Sequence, residues 1–273
     1  MRAATRFDSD NEYVADRMGQ VSEYWELFRP YGGFADKTVL ELGCSSGYLL
    51  DGFLQLEPFD AIGVDIDEEW LRIGRARYGE RIRLLQSTPS AIPLPDQSAD
   101  IIYTIDTVEH LSQPRSVFLE AYRVLRPGGL FFIHFGPWLG PYGSHLEDII
   151  CFPWPHLFFS MDTLLDAAAI LYESPEYEVA CYYRDPDTGQ KKANPFVDKA
   201  KWDEYLNHMT IRRFKRLLRE LPFETLQLET IGFGGRLFPS ARYLRRLASL
   251  PVLNEYFTKA VFCVLRRPSQ PGA

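Results

Sequence analysis

Two hydrophobic periods divide the chain. Over residues 12 to 28 apolar side chains recur every three or four positions, with Tyr13, Met18, Val21, Trp25 and Phe28 on one side, and Pro30-Tyr31-Gly32-Gly33 closes the helix this spacing predicts. From Thr38 the pattern shortens into compact runs of leucine and β-branched residues at 38–42, 61–64, 82–85, 100–104, 130–135 and 260–265. Helical stretches at 48–56, 68–78 and 115–125 separate the early runs. Strands alternating with helices predict a doubly wound α/β domain with a mostly parallel sheet, because parallel neighbours need crossover helices and both faces are then covered. The alternation breaks after Phe135. Residues 136 to about 208 are rich in Pro, Gly, Trp and Tyr and too long for an ordinary connection, which is the mark of an insertion over a binding site. An amphipathic helix from Thr210, a strand-like run at 224–231, a Gly-rich turn at 232–235 and the last run then follow. Without a clear crossover helix between them, the last two runs predict an antiparallel end to the sheet.

Composition narrows the class. The 273 residues are 46% hydrophobic and 25% charged, which excludes disordered, collagen-like and small disulfide-scaffold chains. No stretch reaches the roughly 18–20 apolar residues of a membrane span, and residues 1–14 lack the apolar core of a secretory signal, so a soluble, cytoplasmic protein is expected. Cys44, Cys151, Cys181 and Cys263 form no Cys-x-x-Cys pair and are expected to be reduced and mostly buried. A net charge of −7 disfavours a nucleic-acid partner. The charge is uneven: residues 201–273 hold 13 Lys and Arg against 6 Asp and Glu, and residues 1–200 hold 17 against 31. Much of the basic excess lies between the apolar positions of the helix from Thr210, as Arg212, Arg213, Lys215, Arg216 and Arg219, and reads as its solvated face.

The most informative stretch is Val39-Leu40-Glu41-Leu42-Gly43-Cys44-Ser45-Ser46-Gly47-Tyr48-Leu49-Leu50, a strand running through a glycine-bearing turn into a helix. Such a turn points backbone N–H groups and a helix dipole at a ligand. Twenty-two residues beyond Gly43, the second strand ends in Asp65, where an acidic side chain can accept both hydroxyls of an adenosine ribose. An adenosine-bearing cofactor across the strand ends is the implication, and its identity stays open at this level. A dinucleotide fingerprint is compromised by Ser45 and Tyr48 in place of its second and third glycines. Gly43-Cys44-Ser45-Ser46-Gly47 also fits the Gly-x-Ser-x-Gly string of a nucleophile elbow, with Ser45 as a hydrolase nucleophile. No oxyanion segment precedes it, and Asp65 would have no purpose.

Glu41-x-Gly43-x-Ser45-x-Gly47 resembles the first motif of class I S-adenosylmethionine-dependent methyltransferases. Asp65 matches their acidic residue after strand two, and Ile92-Pro93-Leu94-Pro95-Asp96-Gln97-Ser98-Ala99-Asp100 is similar to their lead into strand four. Asp106-Thr107-Val108-Glu109-His110-Leu111 and Arg123-Val124-Leu125-Arg126-Pro127-Gly128-Gly129 resemble the next loop and the turn before strand five. The resemblance implies a Rossmann-like, doubly wound, seven-stranded mostly parallel sheet with an antiparallel last strand, in one domain. That domain divides into an N-terminal helical segment (1–34), a cofactor-binding half (35–135), an insertion forming a substrate lid (136–208), and a C-terminal helix with the final strands (209–273). It implies S-adenosyl-L-methionine as cofactor, with Gly43 and Gly47 giving the backbone access to the methionine moiety. Glu41 would orient the loop or reach the amino group, Asp65 would bind the ribose, and Ile66 would pack on the adenine. Asp106 joins this set. Ser87 and Thr88 stand where the family often has an Asp for the adenine amino group, and a hydroxyl is the weaker acceptor. Ser45, in place of the middle glycine, is expected to keep a negative φ.

Methyl transfer asks the protein to align a nucleophile and handle one proton. The Tyr103-Thr104-Ile105-Asp106 segment lacks the Asn/Asp-Pro-Pro-Tyr signature of amino-methylating enzymes. His145 and His110, with Asp106, are the candidate catalytic groups, while His134, inside the fifth strand, reads as a core histidine. Asp106-x-x-Glu109-His110 also resembles the Glu-x-x-Glu-His of quinone-biosynthesis O-methyltransferases, so Asp106, Glu109 and His110 are a candidate divalent-metal set beside the metal-free reading. Trp138, Tyr142, His145, Trp154 and His156 are candidate substrate contacts; with Phe158 and Phe159, the aromatic ones form either an acceptor wall or a small satellite core. The expected activity is methylation of a small molecule, at oxygen ahead of nitrogen or carbon. The alternatives are a cofactor-binding protein without turnover, a macromolecular methyltransferase using the basic helix, and the Ser45 hydrolase.

Overall fold

The structure, a computed structural model, describes residues 10–185, 188–233 and 246–269. Helix α1 (Asp10–Phe28) leads into strand β1 (Thr38–Leu42), followed by α2 (Tyr48–Leu54), β2 (Asp60–Asp65), α3 (Glu68–Tyr78), β3 (Arg83–Gln86), β4 (Ala99–Ile105), α4 (Pro114–Val124) and β5 (Leu125–Phe135). The segment beyond β5 holds short helix α5 (Pro155–Phe158), then α6 (Met161–Glu173) and α7 (Lys199–Tyr205). The chain closes with α8 (Ile211–Arg219), β6 (Glu224–Gly232), short helix α9 (Asn254–Phe257) and β7 (Thr258–Arg266). The seven strands form one sheet in the order β3-β2-β1-β4-β5-β7-β6; β1 to β5 are parallel, and β7 runs antiparallel to both β5 and β6. This is the expected Rossmann-like arrangement. The Gly-rich turn at 232–235 lies partly outside the described residues.

The period of two along each strand sorts side chains onto two faces. Leu40, Leu42, Ile62, Val64, Phe131 and Ile133 pack beneath α4 and α8. Val39, Ile101, Tyr103 and Phe132 pack beneath α1, α2 and α3. Phe28 of α1 stacks on Phe132 at 4.7 Å, which fixes the N-terminal helix across the sheet. The Arg126-Pro127-Gly128-Gly129 turn is absorbed into the start of β5 as a bulge, since the register passes from Ala99 opposite Leu125 to Ile101 opposite Leu130. The basic side chains of α8 are exposed while Ile211, Phe214 and Leu218 are buried, as an amphipathic helix requires. Cys44 and Cys263 are buried, but Cys151 is exposed.

Residues 136 to 208 carry a small core of their own, built on Leu146, Leu165, Tyr172, Phe196 and Trp202. They also reach back over the strand ends. The turn Cys181–Tyr183 meets α1, and Lys192 lies 4.0 Å from Glu69 and over the Trp70 ring of α3. Asn207 donates to the carbonyls of Val108 and Leu111 at 2.6 and 2.9 Å, which clamps the loop after β4. No helix among the described residues is long and apolar enough to cross a membrane.

Candidate active site

The turn after β1 is held open by three left-handed residues, Gly43 (φ 75°), Ser45 (φ 49°) and Gly47 (φ 85°). A Cβ on Gly43 would lie 2.4 Å from the Thr107 side chain, so glycine is required there both by φ and by the approach of the loop after β4. The negative φ expected of Ser45 is not what the fold adopts. Its N–H donates to Asp65 Oδ2 at 2.7 Å, and this charge-assisted bond offsets the cost of about 1 kcal/mol for a left-handed non-glycine residue. Asp65 also accepts from the Asp67 N–H at 3.0 Å through Oδ1. A carboxylate has about four acceptor sites, so Asp65 can brace the turn and still accept ribose hydroxyls. Beside it Ile66 is 60% exposed, an apolar platform at the strand end. The Ser87 N–H donates to the Asp65 carbonyl at 2.8 Å, and Thr88 is exposed in a tight turn closed by Ala91.

Glu41 shares the inner face with Val39 and lies between Gly63 and Tyr103 in the sheet register. It is 2% exposed, and its Oε2 has no partner. Burial pushes its carboxyl well above the usual range, against the opposing pull of the Tyr103 hydroxyl and the Arg17 charge. An orphaned acceptor beside the glycine turn fits a ligand that brings an ammonium group. The backbone turn, the ribose acceptor, the apolar platform and this orphan together fit an adenosyl amino acid.

Asp106 stands just past β4 with φ 51°. Oδ2 accepts from Arg17 of α1 at 3.1 Å and Oδ1 faces His134 Nδ1 at 3.3 Å. Burial alone would raise its pKa, but the His134 hydrogen bond and the Arg17 guanidinium outweigh it and hold the carboxyl far below the usual range. The predicted core histidine is thus satisfied by Asp106, and Tyr24 packs edge-on to its ring at 5.2 Å. Arg17 and Tyr24 are the residues of this candidate site that the sequence reading missed. A signal existed: Arg17 precedes Val21 by one helical turn and Tyr24 by two, a cation within the buried stripe of α1.

The other predicted catalytic groups meet one turn further on. Glu109 is buried, with Oε1 3.3 Å from the Gly136 N–H and 3.8 Å from His145 Nε2. His110 Nδ1 lies 3.1 Å from the Tyr205 carbonyl, and the His110 and His145 rings pack edge-on at 4.9 Å. Burial, with the Asp106 charge second, pushes Glu109 up to about 8. Burial, reinforced by His110, pushes His145 down to about 3, which leaves a neutral and weakly basic imidazole. The metal-competent set among the described residues is Glu109, His110 and His145, so the third member is His145 where the sequence spacing suggested Asp106.

The aromatic candidates divide. Trp138 packs at a tilt against the rings of His208 (3.9 Å) and His156 (4.7 Å). Tyr142 and Trp154 pack on Phe233, and Trp154 Nε1 donates to the Tyr256 carbonyl at 2.8 Å. Phe158 and Phe159 are exposed.

The family model for a methyltransferase domain matches residues 40–133. An uncharacterized methyltransferase of Mycobacterium ulcerans is 34% identical over 133 residues, 48% of this chain and 51% of that protein. A probable S-adenosylmethionine-dependent methyltransferase of Mycolicibacterium smegmatis is 37% identical over 99 residues, 36% of this chain and 38% of the relative. The chain therefore spans about half or less of the length of these relatives. In the solved structures, an S-adenosylmethionine-dependent methyltransferase of Mesorhizobium loti superposes with a TM-score of 0.52 at 15% identity, covering 89% of this chain and 97% of that one, a likeness of fold.

Proposed function

We propose that the methyltransferase domain this chain carries at residues 40–133, one of the class I S-adenosylmethionine-dependent family, moves a methyl group to a small-molecule acceptor, at oxygen. The observation that carries the reading is the joint arrangement of the left-handed turn at 43–47, the doubly bonded but unsaturated Asp65 carboxylate and the exposed Ile66. When bound, S-adenosylmethionine supplies a methyl group already activated on sulfur. Asp65 accepts the ribose hydroxyls, Ile66 covers one face of the adenine, and the backbone from Gly43 to Gly47 borders the methionine moiety. Glu41 receives the amino group at its unpartnered Oε2.

The acceptor lies on the β4–β5 side, beneath α1 and a lid formed by residues 136–208. The lid assignment is supported by the contacts of that segment with α1, α3 and the loop after β4. Arg17 and His134 fix Asp106 at the floor, and Glu109, His110 and His145 stand beside it. Oxygen is favoured because neutral imidazole nitrogens can accept from a hydroxyl, whereas an amine at neutral pH arrives protonated, with no lone pair for attack. Ser45 hydrolysis is disfavoured, since the histidines are arranged around Asp106, Glu109 and Trp138 and the Ser45 N–H is committed to Asp65. The net charge of −7 suits an enzyme without a nucleic-acid partner. Incubation with methyl-labelled S-adenosylmethionine and a panel of hydroxylated small molecules tests this. Label on an acceptor oxygen is expected. Label found only on RNA, with strong salt dependence, would overturn the acceptor class.

A further inference from the structure

Glu109, His110 and His145 each place one donor atom within 4.8 Å of the other two. We propose that they form a binding site for one divalent cation of the zinc kind, beside the carboxyl ends of β4 and β5. Three features of the cluster support this beyond proximity. The Tyr205 carbonyl can only accept, so His110 carries its proton on Nδ1 and keeps the Nε2 lone pair for a ligand, the tautomer that metal-binding imidazoles are given by a backbone partner. Glu109 Oε2 is buried and has no partner, and a bound cation would offset the cost of that orphaned polar atom. His145 arrives from the 136–208 segment on a left-handed backbone (φ 54°), the kind of strained non-glycine conformation that accumulates at functional positions.

Asp106 is not part of the set, because Arg17 and His134 occupy its carboxylate. Two imidazoles and one carboxylate suit a borderline divalent ion, whereas magnesium and calcium prefer oxygen donors. Metal–nitrogen bonds of about 2.0–2.1 Å require the three side chains to draw together by rotation on binding, and three protein donors leave a fourth position open. On the methyl-transfer reading, on which this consequence rests, an acceptor hydroxyl at that position loses its proton to solvent. Its oxygen then bonds to the methyl carbon as the S–CH3 bond breaks, leaving a neutral thioether and a methyl ether.

The test is titration of the metal-stripped protein with Co2+, read by its visible d–d absorption. One ion per chain is expected, with affinity falling more than about 100-fold in Glu109→Gln, His110→Ala and His145→Ala, since even a residue that only orients a ligand is worth roughly 10- to 100-fold. Asp106→Asn is expected to keep the ion. X-ray absorption of the cobalt-loaded wild type, which needs no variant to fold, should count two imidazoles. Failure of the wild type to bind one Co2+, retention of binding in the Glu109 and His145 variants, or fewer than two imidazoles would each overturn the site. S-adenosylhomocysteine titration of the same samples separates the two readings: Co2+ binding without it leaves the metal site and removes the methyl-transfer reading, and the reverse removes only the metal.

Discussion

On the β1–β2 side of the strand ends, the contacts that build the site are short in sequence or lie between paired strands. Ser45 reaches Asp65 across 20 positions, and Asp65 caps a turn two residues on. On the β4–β5 side several are long. Asp106 is held by Arg17 from 89 positions away, His110 by Tyr205 from 95, and Val108 by Asn207 from 99. The first side is a property of one β-α-β unit and falls inside the stretch that the methyltransferase-domain family model matches, which stops at residue 133. The second depends on α1 and on residues 136 to 208, which lie outside it. The stretch similar to the methyltransferase-domain model therefore holds the whole of the first side and only part of the second.

Substitutions on either side sharpen that division. The largest effect on stability is expected from Phe196→Ala, which removes a ring 1% exposed at the centre of the second, smaller core. A loss of about 3–5 kcal/mol is expected by chemical denaturation, with S-adenosylhomocysteine affinity preserved; affinity falling in step would show that the two sides fold as one unit. Asp65→Ala should weaken S-adenosylhomocysteine about thirtyfold by calorimetry, roughly 2 kcal/mol, with Glu109 and its neighbours undisturbed. Gly43→Ala places a Cβ against Thr107 at an unfavourable φ and should cost about 1–3 kcal/mol of stability as well as cofactor affinity. Arg17→Met should cost least, about 0.5–1 kcal/mol, because 38% of the Asp106 side chain is exposed and His134 remains as a partner.

The pH dependence of the Asp106 contacts has a definite sign. Its carboxyl titrates below the ordinary aspartate value of about 3.9, so their contribution is complete above that value and is lost as pH falls through the lower, folded-state one. Asp106→Asn should flatten the acid limb of the stability curve between those two values.

The order of strands and helices was legible because hydrophobic period reports burial directly, and β1 and α3 have the expected bounds. The Asp65 position was legible because it follows a glycine turn at a fixed spacing. The conformation of Ser45 was not, since what stabilises its positive φ is a carboxylate on the neighbouring strand. The turn before β5 was readable as a turn but not as a bulge, because a bulge is a property of the pairing with β4. The replacement of Asp106 by His145 beside Glu109 was invisible for the same reason: motif spacing fixes which residues share a loop, and only the packed chain decides which of them face one another.

The most direct measurement is thermal unfolding in S-adenosylhomocysteine, with NAD in parallel, each ligand at about a hundred times the dissociation constant expected for S-adenosylhomocysteine. Binding at that ratio adds about 2.7 kcal/mol, a rise of roughly 5–10 °C for a chain of this size. The account predicts that rise with S-adenosylhomocysteine and none with NAD. An unchanged midpoint with S-adenosylhomocysteine, or a rise with NAD alone, would contradict it.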